Sequence, residues 1–352
     1  MAGEEPMSKL YRELIKQLDR GKAIALETVI NGAEGDLQKD MHRCFADVSP
    51  ITDAKGRRFA AVTAKAEGEG LRICEPILPQ ERLIVLGAGH IALPVCEFAA
   101  KSGFSVVVCD DRPDFANLHR FPDAEEVICD SFPNAIKRTR ITPYDYVVVI
   151  TRGHRHDADC LRMIFQGTQP AYLGLIGSRR RVKGLFEMLT EEGFDRALLD
   201  RICTPIGLKI GAVTPGEIAI SILAEVVAYK RLPEHSNDGI RCCNDSDVEL
   251  STLRYLAEND DPKAIVTIIE TKGSTPREAG AKMAVSPLGK VTGSIGGGCS
   301  EGAVIRDAVN IIGTGEFKLI DIDLTGDVAE SDGMVCGGIM KVLVEDGEED
   351  RD

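Results

Sequence analysis

The chain has 352 residues and a formal net charge of −14, with 28% charged and 5% aromatic residues and no tryptophan. That length suits about two or three domains of roughly 100–200 residues each. The acidic balance argues against a nucleic-acid or anionic-membrane surface. Eleven cysteines are scattered without a Cys-x-x-Cys pair, the start Met1–Pro6 is polar and acidic, and no apolar run is long enough for a bilayer. The expectation is a reducing cytoplasm, buried thiols, no secretory leader and no membrane partner.

Residues 1–80 predict a helix near 7–19, a strand over Lys22–Ile30 and an exit strand over Leu71–Pro76. The first strand parallels Lys263–Ile269 and the exit strand parallels Met340–Glu345. The N-terminal α/β segment therefore reads as a stripped copy of the C-terminal domain; the alternative is chance likeness between β-rich segments.

Residues 81–230 alternate strand and helix. Val/Ile/Leu-rich runs at 82–87, 104–109, 125–129, 146–151 and 171–176 predict a sheet buried on both faces. Helices are predicted over Asp157–Gln166 and Arg179–Leu189, and a last one opens at Thr214-Pro-Gly-Glu217 with capping-box spacing. The fold class is α/β, a Rossmann-like doubly wound parallel sheet. Residues 231–249 read as a linker. Residues 250–352 read as a smaller α/β domain, with a helix near 247–258 and strands over Ala264–Glu270 and Ile339–Glu345.

The first chemical motif is Leu83-Ile-Val-Leu-Gly87-Ala-Gly89-His90-Ile-Ala92, a strand entering a Gly-x-Gly-x-x-Ala turn and a helix. Such a turn brings backbone close to a phosphate and aims a helix N-terminus at it. Asp110 ends the next strand about 20 residues on, where an acid would hold a ribose hydroxyl. The strand at 146–151 runs into Thr151-Arg-Gly-His154-Arg-His156-Asp157. A third metal ligand is not evident beside His154 and His156, so ligand contact is the reading, with Asp157 as a helix cap. The strand at 171–176 leads to Gly177-Ser178-Arg179-Arg180-Arg181. Arginines at a helix start oppose the helix dipole unless an anion sits there; the alternative is a solvated basic face.

The C-terminal region carries Gly273-Ser-Thr-Pro-Arg277 and then Gly296-Gly297-Gly298-Cys299-Ser-Glu301 at a helix start. Three glycines free backbone amides to converge on an anion, and the dipole favours a Cys299 thiolate. That thiolate suits a metal ligand, a nucleophile or a sulfur carrier; the alternative is a glycine-rich turn with a small apolar residue. Cys336 lies against Gly337-Gly338 and is a weaker candidate.

Taken together, Gly87-Ala-Gly-His90, Gly174-Leu-Ile-Gly-Ser-Arg-Arg180, Pro205-Ile-Gly-Leu208, Thr214-Pro-x-Glu217-Ile-Ala219, Gly273-Ser-x-Pro-Arg277 and Gly296-Gly-Gly-Cys-x-Glu301 resemble the XdhC/CoxI family. The resemblance covers residues 82–346. It implies an accessory factor of molybdenum hydroxylases rather than a turnover enzyme. Such a factor binds the molybdopterin-type molybdenum cofactor, or its dinucleotide form, helps add its terminal sulfur and delivers it to an apo molybdenum hydroxylase. The partner implied is a xanthine dehydrogenase or an aldehyde oxidoreductase, with a cysteine desulfurase as sulfur source and a homodimer as the assembly. The implied arrangement holds the cofactor between the two domains, with Arg179 and Arg180 and the glycine turns on phosphates and Cys299 near the metal end. In that family the Gly-Gly-Gly-Cys domain usually comes first; here it follows the Rossmann domain. The rival from the enzyme class is an NAD(P)-dependent oxidoreductase using Gly87, Gly89, Ala92 and Asp110.

Overall fold

The computed structural model describes residues 7–31, 40–48, 51–52, 58–67, 70–232, 242–244, 246–324 and 337–347. In chain order the first elements are α1 (Met7–Asp19), β1 (Ile24–Asn31), β2 (Asp40–Ala46), β3 (Ile51–Thr52), β4 (Arg58–Ala60), β5 (Thr63–Glu67) and β6 (Gly70–Ile77). Next come β7 (Arg82–Leu86), α2 (Ala92–Lys101), β8 (Ser105–Asp110), β9 (Glu126–Cys129), α3 (Phe132–Thr139), β10 (Tyr146–Val149), α4 (His154–Phe165), β11 (Tyr172–Leu175), α5 (Arg179–Glu191), α6 (Arg196–Leu199) and α7 (Pro215–Arg231). The chain closes with β12 (Cys242–Asn244), α8 (Leu250–Glu258), β13 (Ala264–Lys272), β14 (Lys282–Val285), β15 (Val291–Gly293), α9 (Gly298–Ile311), β16 (Phe317–Asp323) and β17 (Ile339–Asp346).

Residues 80–241 form one compact unit around a five-stranded sheet in the order β11-β10-β7-β8-β9. All four pairings are parallel. The alternation of side chains along each strand feeds two cores. Ile84 and Leu86 of β7 face α3, α4 and α5 through Ile136, Leu161 and Leu185. Leu83 and Val85 face the other way, onto Val95 of α2 and Ile222 and Val226 of α7. Helices on both faces explain why the strands are almost wholly apolar: burying each such side chain is worth about 1.5–3 kcal/mol. This is the doubly wound sheet that the sequence predicts. The start of α7 also matches: Glu217 N–H donates to Thr214 Oγ1 at 3.3 Å, and Thr214 N–H donates to the Glu217 carboxylate at 2.9 Å.

Residues 1–79 and 242–352 form the other unit. Its two larger sheets are antiparallel, ordered β2-β1-β6-β5 and β15-β14-β13-β17-β16, and a small sheet has the order β12-β4-β3. Helices α1 and α8 share a core in which Tyr11, Leu14 and Leu18 meet Leu253, Leu256 and Ala257 over Leu26 and Ile265. Ile30 and Ile73 of one sheet pack with Ile269 and Leu343 of the other. On the far face of the second sheet, Val304, Ala308 and Ile311 of α9 cover Val266, Ile268 and Val342.

Candidate functional site

Strands β7, β10 and β11 are consecutive in the parallel sheet, so the turns at their carboxyl ends lie side by side. The order reverses between β7 and β10, since β8 lies on one side of β7 and β10 on the other. Open α/β sheets bind ligands at such a point. In the turn after β7, Gly87 has φ +117°, and a Cβ there would lie 2.5 Å from the Ile150 carbonyl. Only glycine fits. Gly89 has open space where its Cβ would be. Ala92 is fully buried at the start of α2, and His90 is exposed. Ile91 caps α2 with no side-chain hydrogen bond. Among the described residues no acceptor takes the N–H groups of Gly89, His90 or Ile91. Uncompensated amides at a helix start are the donors an anion needs.

Asp110 is placed differently from a ribose acceptor. Its carboxylate is 1% exposed and accepts from Ala88 N–H at 2.9 Å, from Arg112 N–H at 3.1 Å, and from the Arg112 guanidinium at 2.8 and 2.9 Å. Burial pushes its pKa up, but these hydrogen bonds outweigh burial and hold it below the ordinary value. Arg112 in turn lies over the Phe115 ring, 3.7 Å from its centroid. Asp110 thus ties the glycine turn to the end of β8. Its neighbour Asp111 pairs with Arg152, and that hydrogen bond brings its carboxyl down to about 2.

Beyond β10 and β11 the ends of α4 and α5 frame a cavity of about 690 Å³, lined by His154, Arg155, Ser178, Arg180 and Arg181 above Leu185 and Met188. Helix α4 starts at His154, three residues earlier than its predicted start, with Gly153 as N-cap. Asp157 therefore sits inside the first turn. Its buried carboxylate accepts from Thr151 Oγ1 at 2.5 Å and pairs with the Arg181 guanidinium. Burial raises its pKa against the pull of both partners. Arg181 Nε also donates to His154 Nδ1 at 3.1 Å, which leaves the His154 proton on Nε2 as a free donor. Ser178 caps α5 by accepting from Arg181 N–H at 3.4 Å. Gly177 packs just before it, and a Cβ there would lie 3.1 Å from Val182.

The structure separates residues that the sequence groups together. Arg180 lines this cavity, whereas Arg179 lines a different depression with Thr204 and Pro205. His156 packs edge-on against Phe132, with ring centroids 5.4 Å apart, while His154 lines the cavity. Among the described residues no carboxylate pairs with Arg155, Arg179 or Arg180, and no group of three His, Cys, Asp or Glu side chains is placed to hold a metal ion.

The glycine loop before α9 has a different fate. Glu301, in the first turn of α9, turns its carboxylate back into the loop. It accepts from Ile295 N–H at 3.0 Å, Gly297 N–H at 2.9 Å and Ser294 Oγ at 2.7 Å. Gly296 N–H donates to Ser294 Oγ at 3.1 Å. Burial raises the Glu301 pKa, but these donors outweigh it and hold the group ionised below its ordinary range. The chain supplies its own anion to the amides of Ile295 and Gly297, and the Ser294 hydroxyl takes that of Gly296. Arg277 is also held internally, by Asp247 at 2.6 Å and Glu249 at 2.8 Å. Gly298 and Cys299 are described by their backbone alone, as the start of α9, and Cys336 lies outside the described residues. Sequence reasoning missed the contacts of Thr151 and Arg112 with the buried acids Asp157 and Asp110, and the role of Glu301. An acid in the first turn of a helix entered from glycines was the available signal for Glu301.

A parallel sheet with an open glycine turn and a cationic cavity at its carboxyl edge is a Rossmann-type architecture. Residues 83–226 match the family model described as the XdhC Rossmann domain, and residues 256–323 match that of the XdhC and CoxI family. The chain belongs to the XdhC/CoxI family. It is 34% identical over 155 residues to a Bacillus subtilis (strain 168) protein named as a probable xanthine dehydrogenase subunit, covering 44% of each. It is 36% identical over 151 residues to the Escherichia coli (strain K12) "Uncharacterized protein YqeB", covering 42% of this chain and 27% of that one. The chain thus spans less than half the length of these curated relatives. A solved structure from Bacillus halodurans, described as a xanthine dehydrogenase, aligns with a TM-score of 0.45 at 28% identity, over 62% of this chain and 63% of that one. No helix among the described residues is long and apolar enough to cross a membrane.

Proposed function

We propose that this chain is an accessory factor of a molybdenum hydroxylase, of xanthine dehydrogenase or aldehyde oxidoreductase type, and that it binds the molybdopterin-type molybdenum cofactor for maturation and delivery. The carrying observation is the cavity at the ends of β10 and β11, where, among the described residues, no carboxylate pairs with Arg155 or Arg180, and His154 offers its Nε2–H. Its volume of about 690 Å³ suits an organic ligand of cofactor size, for which pockets run to about 300–1,000 Å³. Guanidinium, imidazole and hydroxyl donors suit a phosphate, while Leu185 and Met188 give a flatter, apolar wall for a ring system. The residues present therefore fit a phosphate-bearing pterin. The open amides of Gly89 to Ile91 provide a second anion contact on the same sheet edge. The cofactor would supply the redox-active metal and its sulfur ligands; the chain would bind, orient and shield it. A cysteine desulfurase is the proposed sulfur source.

The oxidoreductase reading is the weaker one. Asp110, its ribose acceptor, spends its carboxylate on Ala88 and Arg112.

The test is calorimetric titration of the full chain with molybdopterin-type cofactor and with NAD(P). Charge-assisted contacts to a phosphate are worth about 1.5–3 kcal/mol each. Arg180→Ala should weaken cofactor binding at least about tenfold, most strongly at low salt. Arg179→Ala, facing another depression, should change it little. Equal affinity of wild type and Arg180→Ala at low ionic strength would sink the reading, as would tight NAD(P) binding with no pterin binding. Cys299 remains the proposed contact for the metal end. Cys299→Ser should preserve folding but impair activation of an apo-hydroxylase, because a protonated hydroxyl is a poor ligand for a soft metal. Full activation by that variant would make Cys299 structural.

A further inference from the structure

The unit formed by residues 1–79 and 242–352 holds two sheets whose shared strands have the same order: β2-β1-β6-β5 in one and β14-β13-β17-β16 in the other. All six of these pairings are antiparallel. A helix precedes the central strand in each, α1 before β1 and α8 before β13. The hydrogen-bond register sets the correspondence residue by residue. Thr28 lies opposite Arg43, and Thr267 lies opposite Lys282; both members shift by 239 positions. Leu26 lies opposite Glu75, and Ile265 lies opposite Glu345; the first shifts by the same 239 and the second by 270.

These corresponding residues meet across the interface in crossed pairs. Arg43 of the first sheet pairs with Glu345 of the second, and Lys282 of the second pairs with Glu75 of the first, at 2.5 Å. Lys282, Glu75 and Glu345 are 3%, 5% and 2% exposed. The apolar contacts follow the same rule: Ile30 and Ile73 meet their counterparts Ile269 and Leu343. Leu14 of α1 and Leu253 of α8, again 239 apart, share one core. A cation of each copy on a glutamate of the other is the signature of an isologous contact, in which one patch is used twice.

We infer that residues 7–77 are a second copy of the scaffold of residues 250–346, and that this copy fills a self-complementary face of the C-terminal copy, whose natural partner in chemical terms is another copy of itself. The consequence is functional. Among the described residues the N-terminal copy has no counterpart of α9 or of its glycine loop, and residues 47–62 contain a single glycine. The built-in copy acts as a tethered interface, and among the described residues the pair carries one glycine loop. One detail has its explanation in this symmetry. Among the described residues the buried Thr28 hydroxyl has no hydrogen-bond partner, while its counterpart Thr267 accepts from Lys282 at 2.9 Å. The seat for a lysine exists in both copies and holds one in only one of them.

Two sets of full-length variants test this. In the first, Arg43→Glu with Glu75→Arg sets like charges together at both seats. The C-terminal face is then free to pair Lys282 with Glu345 of a second molecule. Sedimentation should show self-association at least tenfold tighter than wild type. Adding Lys282→Glu and Glu345→Lys should abolish that gain and restore the urea midpoint. In the second, Arg43→Lys with Lys282→Arg exchanges the cations between copies. Equivalent seats predict a midpoint close to wild type, with Thr28 now serving the lysine. A folded double charge reversal that associates no more than wild type overturns the inference. If that variant does not fold, the exchange decides: an unchanged midpoint supports equivalence, and a loss as large as that of Arg43→Met refutes it.

Discussion

Gly87 and Gly89 are two positions apart and answer to different demands. Gly87 is held at φ +117° with the Ile150 carbonyl where a Cβ would be. Gly87→Ala should destabilise the fold by more than about 1 kcal/mol, read as a lower urea midpoint. Gly89 has room and an ordinary φ, so Gly89→Val should change the unfolding free energy by no more than about 0.5 kcal/mol. The same change should abolish binding of any ligand whose phosphate approaches the α2 amides; equal binding by wild type and Gly89→Val would remove the turn from the site. Thr28 and Thr267 make a second contrast. Thr28→Val removes a buried hydroxyl without a partner and should be neutral or stabilising. Thr267→Val takes an acceptor from buried Lys282 and should cost about 1–3 kcal/mol. Denaturation of the two variants side by side checks the pair.

At the scale of elements, the starts of α5 and α9 show two ways to settle a helix terminus. Helix α5 begins with three arginines against its dipole. One is neutralised by Asp157, a buried acid brought in from α4, and the other two face separate openings. Helix α9 begins with Glu301 folded back on its own glycine loop. The pH consequence follows from the direction of the shift. The folded pKa of Glu301 lies below the unfolded value of about 4.3. Its contribution is therefore fully present above the unfolded pKa and is lost as pH falls through the folded one. Protection of the Ile295 and Gly297 amides against exchange, referred to the intrinsic rate at each pH, should be high near neutrality and fall as pH drops through the folded Glu301 pKa, while Glu301→Gln should show low protection throughout. Exchange rates in wild type equal to those of Glu301→Gln at neutral pH would contradict the closure.

At the scale of the whole molecule, the family and the Rossmann architecture were legible in the sequence because both are local. Short continuous apolar runs, the Thr214 capping box and the Gly87 turn each lie within a few consecutive residues, and each appears where it was expected. The antiparallel strands of residues 40–67 were not read, because short polar strands carry weak periodicity. The N-terminal parallel was seen two residues out of step, with Lys22 set against Lys263, whereas the ladder sets Thr28 against Thr267. Which candidate groups remain open to a ligand was decided by tertiary structure alone. Asp110, Arg277 and the Gly296–Gly297 amides look available in the sequence, yet each meets a partner inside the fold. Among the described residues, Arg180 and the Gly89–Ile91 amides do not. Sequence determines what a group is able to bind. Whether an oppositely charged or hydrogen-bonding neighbour already occupies it depends on contacts between elements distant along the chain, such as Arg181 with Asp157 or Arg43 with Glu345. Those contacts form only when packing has brought the elements together and removed the water that would otherwise satisfy them.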